Sequence, residues 1–159
     1  MRRMLCLLLA AAVLSGCGHG DAEPPAAPSS AGPVKKMTHA DAQKLAAKYR
    51  DEAVTTMGGT LGAPAADNLL RCDTPHTFAA STGGDVPVTA DQQAAVLQKL
   101  REHYTQAQYA VEPPSTDASD RGALNVVAPD RVTVTVTEDG TDALHVNVST
   151  PCYDSDEGL

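Results

Sequence analysis

Val132-Thr133-Val134-Thr135-Val136-Thr137 and Leu144-His145-Val146-Asn147-Val148-Ser149 flank the segment Glu138-Asp139-Gly140-Thr141-Asp142-Ala143. In both runs an apolar residue alternates with a polar one, the period of a strand with one face buried and one face wet. Asp139-Gly140 between them signals a hairpin. A two-residue loop would set Val136 against Ala143 and Val134 against His145, mixing the faces. A three-residue loop Glu138-Asp139-Gly140, with Gly140 left-handed, sets Val134 against Leu144 and Val132 against Val146 and is the register we expect. Thr133, Thr135, His145 and Asn147 then line the outer, solvated sheet face.

A half-buried hairpin needs a second layer, and two helical patterns upstream supply it. Thr38 has the position of an N-cap, and Ala42, Leu45, Ala46, Tyr49, Ala53 and Met57 follow at helical spacing up to Gly58-Gly59. Thr89-Ala90-Asp91-Gln92 reads as a capping box before a stripe of Ala94, Leu97, Leu100, Tyr104 and Ala107. Gln93, Lys99, Arg101, Glu102 and Gln106 fall on the opposite face and are assigned to water. Shorter stretches at Leu69–Cys72, Tyr109–Glu112 and Leu124–Val127 have strand composition bounded by Pro, Asp or Gly. The expected fold is α+β: a two-layer sandwich with two amphipathic helices on one face of a mainly antiparallel sheet of about four or five strands. The last three or four strands form a meander.

The whole chain has 159 residues and a formal charge of −8, with one Phe and no Trp. An acidic chain lacks the cationic footprint that phosphate neutralisation requires, which argues against nucleic acid as a partner. With Tyr49, Tyr104, Tyr109, Tyr153 and Phe78 as its few large side chains, the core must be built from Val, Leu and Ala.

The amino terminus reads as an address. Arg2 and Arg3 precede an apolar run, Met4 to Leu14, that as a helix spans only about 16 Å, roughly half a bilayer core. This is the pattern of a signal peptide, assigned to residues 1–16, and not of a membrane anchor. It ends in Leu14-Ser15-Gly16-Cys17, which resembles the lipobox of bacterial lipoproteins. That resemblance implies thioether attachment of diacylglycerol to Cys17, cleavage before it, and acylation of the new amino group with a fatty acid such as palmitate. Residues 17–36 then form a Pro/Ala/Ser-rich tether too poor in apolar residues to order itself. As a flexible coil it reaches roughly 20–25 Å. The folded domain is assigned to residues 37–153 and an acidic tail to 154–159.

Cys6 leaves with the signal and Cys17 is taken by lipid, so Cys72 and Cys152 are the thiols of the exported domain and are expected to pair in an oxidising compartment. The bridge would place the first strand beside the last. The weaker reading, a reactive thiol at Cys72, has only Arg71 and His76 nearby in sequence and no Cys-x-x-Cys spacing.

The remaining chemistry-bearing residues do not converge in sequence. His19, His39, His76, His103 and His145 show no ligand spacing, so no metal and no cofactor is assigned. Asp117-Ala118-Ser119-Asp120 and Asp154-Ser155-Asp156-Glu157 lack the EF-hand ligand series and read as solubilising charge. Gly58-Gly59-Thr60-Leu61-Gly62 follows a helix and lacks the Gly-Lys ending of a phosphate loop, and there is no Gly-x-Ser-x-Gly elbow.

The lipobox, the helix followed by a strand bearing Cys72, Leu100-Arg101-Glu102-His103-Tyr104, the Val/Thr hairpin and Thr150-Pro151-Cys152-Tyr153 together resemble small actinobacterial lipoproteins of no assigned activity that carry a type II signal peptide. The resemblance implies a protein lipid-anchored at the extracytoplasmic face of the cell membrane, and it carries over no catalytic residues. The expected role is a non-enzymatic binding or accessory module of the envelope, held to the membrane by lipid on Cys17 and engaging another exported protein. The alternative is a small-ligand carrier with a pocket between helices and sheet, lined by Leu45, Tyr49, Leu97 and Tyr104.

Overall fold

The computed structural model describes residues 34–113, 122–138 and 140–157. The expected signal peptide, Cys17, most of the expected tether, residues 117–120 and Asp139 lie outside the described residues. The elements run α1 (His39–Met57), β1 (Ala66–Arg71), β2 (Thr77–Pro87), α2 (Ala90–Gln106), β3 (Ala110–Val111), β4 (Ala123–Val127), β5 (Thr133–Glu138), β6 (Ala143–Ser149) and β7 (Tyr153–Asp154). The fold is α+β, with both helices packed on an antiparallel sheet of order β1-β2-β6-β5-β4-β3 and with β7 added to β2.

Helix α1 starts where Thr38 Oγ1 accepts from the Asp41 amide and stops at Gly58, whose φ of 80° is a left-handed cap. Ala42, Ala46, Tyr49, Ala53 and Met57 are buried beneath it, and Leu45 is half-buried at the rim. Helix α2 departs from its expected stripe. Its buried residues are Gln93, Leu97, Leu100 and Tyr104, whereas Ala94 and Ala107 are exposed. The Thr89 hydroxyl caps no amide and instead donates to Asp91 Oδ1.

Gln93, expected in water, is 4% exposed. Its Nε2 lies 3.1 Å from the Val88 carbonyl, 2.7 Å from that of Thr141 and 3.2 Å from that of Ala143. A polar side chain can be buried here because main-chain carbonyls of the β5–β6 connection and the end of β2 accept from its amide. Gln93→Leu, which keeps the volume and removes the donors, is expected to lower stability by roughly 2 kcal/mol in urea titration.

The same connection corrects the hairpin register. Strands β5 and β6 pair Val134 with Val148, Val136 with Val146 and Glu138 with Leu144, not Val134 with Leu144. The faces are unchanged, because the shift is an even number of residues. The turn is wider than a three-residue loop because α2 holds it open: besides the Gln93 contacts, Asp142 O accepts from Val88 N and Asp142 Oδ1 accepts from Ala90 N. Gly140 does adopt the left-handed conformation, at φ 81°.

The meander β3-β4-β5-β6 is present, but the sheet has seven strands where four or five were expected. The additions are β2 and β7. Strand β2 is the longest in the sheet and lies between β1 and β6. Its helix-side residues Phe78, Ala80, Thr82 and Val86 are buried, and its small side chains let α1 pack closely. Strand β7 continues β6 after an irregularity: Ser149 pairs with Ser81 and Tyr153 with Phe78, so one extra residue stands on the β6–β7 side, as in a bulge. Pro151 has no amide to donate, and the ladder is carried by Thr150, whose amide donates to Ala80 O while its Oγ1 accepts from Ala80 N.

Two layers close around Val86, Leu124, Val126, Val132, Val134, Val136, Leu144, Val146 and Val148 from the sheet side, and Ala46, Tyr49, Ala53, Leu97, Leu100 and Tyr104 from the helices. A second cluster, Ala42, Phe78, Ala80 and Tyr153, fills the corner where the chain enters the domain.

Candidate functional site

Cys72 and Cys152 form a disulfide with Cα atoms 6.3 Å apart, inside the range a bridge tolerates. The expected neighbour relation of first and last strands does not hold: β1 and β7 both pair with β2, from its two sides. The bridge therefore joins the residue after β1 to the residue before β7 across the start of β2.

At the start of α1 lies an open pocket of about 380 Å³ lined by Lys36, Met37, Thr38, Asp41, Ser155, Asp156 and Glu157. Met37 N donates to Asp154 O and Asp154 N to Lys35 O, so the chain entering α1 pairs with β7. Glu157 Oε2 accepts from the His39 amide at 2.8 Å, which places a carboxylate at the positive end of the helix. Lys36 Nζ is 2.6 Å from Asp156 Oδ2, and this contact raises its pKa above the usual lysine range. Within the pocket, Lys36 and Asp156 therefore neutralise each other and Glu157 is engaged by the helix amino end. His39 is set between Phe78 and Tyr153 with ring centroids 4.9 and 5.9 Å away, and its Nδ1 shares a 2.8 Å hydrogen bond with the Tyr153 hydroxyl.

A second polar cluster lies where α1, α2 and the residues before β3 meet. Glu52 Oε1 accepts from His103 Nε2 at 3.0 Å, and Glu52 Oε2 accepts from the Tyr109 hydroxyl at 3.3 Å. Tyr109 stacks on Tyr104 at 5.3 Å and meets Tyr49 edge-on at 6.1 Å. Tyr49 donates to Asp130 Oδ2 at 2.8 Å. Burial first, then the Asp130 and Glu52 carboxylates, push the Tyr49 and Tyr109 phenols above the ordinary tyrosine value, so both remain donors. An imidazole–carboxylate pair is half of a general-base device. Here the pair links α1 to α2, and Tyr109 ties the segment before β3 to the same carboxylate.

Tyr104 is fully buried, and its hydroxyl has no partner among the described residues. Tyr104→Phe removes that unpaired oxygen and keeps the ring, so it is expected to raise the thermal midpoint, by about 1 kcal/mol of stability. A calorimetric scan beside the parent checks the sign.

The other expected positions are dispersed. His145 is on the outer sheet face with Nδ1 2.7 Å from Asp85 Oδ1. Thr135 donates to Asn125 Oδ1 on the same face at 3.0 Å. Among the described residues no three His, Cys, Asp or Glu side chains converge as a metal site, and no helix is long and apolar enough to cross a membrane. Neither the Glu52–His103–Tyr109 cluster nor the His39–Tyr153 contact was visible in sequence, because their members lie 51 to 114 residues apart.

No known protein family, no curated protein and no solved structure matches the chain.

Proposed function

We propose that the chain is an exported lipoprotein, lipid-anchored through Cys17 at the extracytoplasmic face of the membrane, whose folded head acts by binding another exported protein. The observation that carries this reading is the Cys72–Cys152 bridge. It accounts for both thiols beyond Cys17 and suits an oxidising compartment. Of the other two, Cys6 lies inside the apolar run of the leader and Cys17 follows Leu14-Ser15-Gly16, so Cys17 is the cysteine placed for acylation. More than one acyl chain makes such an anchor stable, where a single chain holds marginally. The head is acidic, and more so once Arg2 and Arg3 leave with the leader, so anionic lipid repels it and the anchor must do the holding.

The packing between the layers supports action through the surface. A carrier needs a cavity between helices and sheet, and of the positions that would line it Tyr49, Leu97 and Tyr104 are buried in one cluster with the sheet valines while Leu45 is half-buried against that cluster.

Fractionation of cells expressing the full chain tests the anchor. The parent is expected in the membrane fraction and Cys17→Ala in the soluble exported fraction. Retention of Cys17→Ala in the membrane at full yield would sink the reading. Crosslinking and pulldown of the membrane-bound protein tests the binding role through a reproducible protein partner.

A further inference from the structure

The sheet has two edges of different character. At one end β3 is two residues long, the short edge that discourages pairing. At the other, β1 runs six residues, is exposed along nearly all its length and carries Leu70 at 51% exposure. No Pro or Lys interrupts it.

The phase of its main-chain groups can be derived. Cys72 N donates to Thr77 O, and β1 pairs with β2 so that Leu70 faces Ala79, Asn68 faces Ser81 and Ala66 faces Gly83. Hydrogen-bonded and non-bonded pairs alternate along an antiparallel ladder. The amides and carbonyls of Ala66, Asn68 and Leu70 therefore point to β2, and those of Asp67, Leu69 and Arg71 point outward. Two further contacts agree with this phase: Gly62 N donates to Asp85 O on the β1 side of β2, and Ser155 N to His76 O on the β7 side.

An antiparallel strand that satisfies this edge must offer outward groups at every second residue, in step with Asp67, Leu69 and Arg71. The edge itself does so. Turned about a two-fold axis through Leu69, a second copy sets its Arg71 against Asp67 and its Asp67 against Arg71, with Leu69 against Leu69. All three outward residues find hydrogen-bonded partners, and two oppositely charged cross-strand pairs form. On the outer face Leu70 falls opposite Asn68 of the other copy and is covered.

We propose that β1 is a self-association edge, through which two copies join their sheets antiparallel about Leu69. The proposal is independent of the anchoring reading. The contact is smaller than that of a permanent dimer, so association is concentration-dependent. The two-fold axis is perpendicular to the sheet, so the helices of both copies lie on one side and the points of chain entry beside Asp154 are equivalent. Asp67 keeps its existing contacts, accepting from Thr82 Oγ1 and lying 3.6 Å from Arg50 Nη1, and its side chain is still 54% exposed.

Cysteine crosslinking of the full chain in detergent, in a Cys17→Ser background, reads the register directly. Leu69→Cys is expected to give a reducible dimer by itself. Asn68→Cys and Leu70→Cys, both at solvent-facing positions, are expected to crosslink when mixed and several-fold less when alone. Absence of a dimer from all of these, or equal crosslinking by every single variant, overturns the proposal. Sedimentation gives a second measure without new thiols. Arg71→Glu is expected to abolish the dimer, and Asp67→Lys combined with Arg71→Glu to restore it. A folded double variant that stays monomeric also overturns it.

Discussion

Replacing Cys72 and Cys152 together by alanine is expected to lower stability by about 4.5 kcal/mol, the loop-closure cost of freeing a segment of this length in the unfolded chain. The bridge spans a sequence separation of 80 residues and ties β1 to the β6–β7 junction, two segments on opposite sides of β2. For a domain of this size that corresponds to a fall in thermal midpoint of roughly 15–20 °C. Typical domains have only about 5–15 kcal/mol to lose. Calorimetry of the parent with and without reductant, beside the double variant, measures it. A drop below about 1 kcal/mol would mean that β2 alone holds the two segments together, and that the unbridged chain is already constrained.

Gly83→Ala is expected to cost about 2–3 kcal/mol, and Gly84→Ala under about 1 kcal/mol. A Cβ on Gly83 would collide with the Val146 carbonyl oxygen on the neighbouring strand, where only main-chain movement in the β2–β6 ladder makes room. A Cβ on Gly84 meets Leu61 Cδ2 at 3.3 Å, the free end of a side chain that can turn away. Both substitutions replace one glycine in one strand, so the difference isolates the close approach from the entropy gained in losing a glycine. Equal urea midpoints for the two variants would refute it.

Those glycines also explain what the sequence left hidden. The Val/Thr runs announce β5 and β6 because alternation is written into residues that favour strands. Strand β2 reads Thr-Phe-Ala-Ala-Ser-Thr-Gly-Gly-Asp-Val-Pro, mostly small residues that elsewhere mark loops. It is a strand because α1 brings a face of alanines over it and β1 and β6 flank it, which is tertiary context that propensity does not carry. Gln93 reads as a water-facing residue for the opposite reason: polarity is local, whereas two of the carbonyls that its amide meets belong to a segment some fifty residues away. The hairpin register failed with it, since the same contacts widen the turn. Of the candidate sites, the Cys72–Cys152 pair could be deduced by elimination among four cysteines. The Glu52–His103–Tyr109 contacts could not, because each member alone is an ordinary surface residue of a helix or turn.

The strand order also sets a sequence of events for a chain that emerges amino end first. The hairpins β4–β5 and β5–β6 join near neighbours and close quickly, whereas β2 must wait for β6 and Phe78 must wait for Tyr153. Until residues 143–154 arrive, β2 has a partner on one side only and the helix-facing surface has no complete sheet beneath it. A chain passing through a narrow pore in that order would remain unfolded, and so able to thread, until residues 143–154 are across.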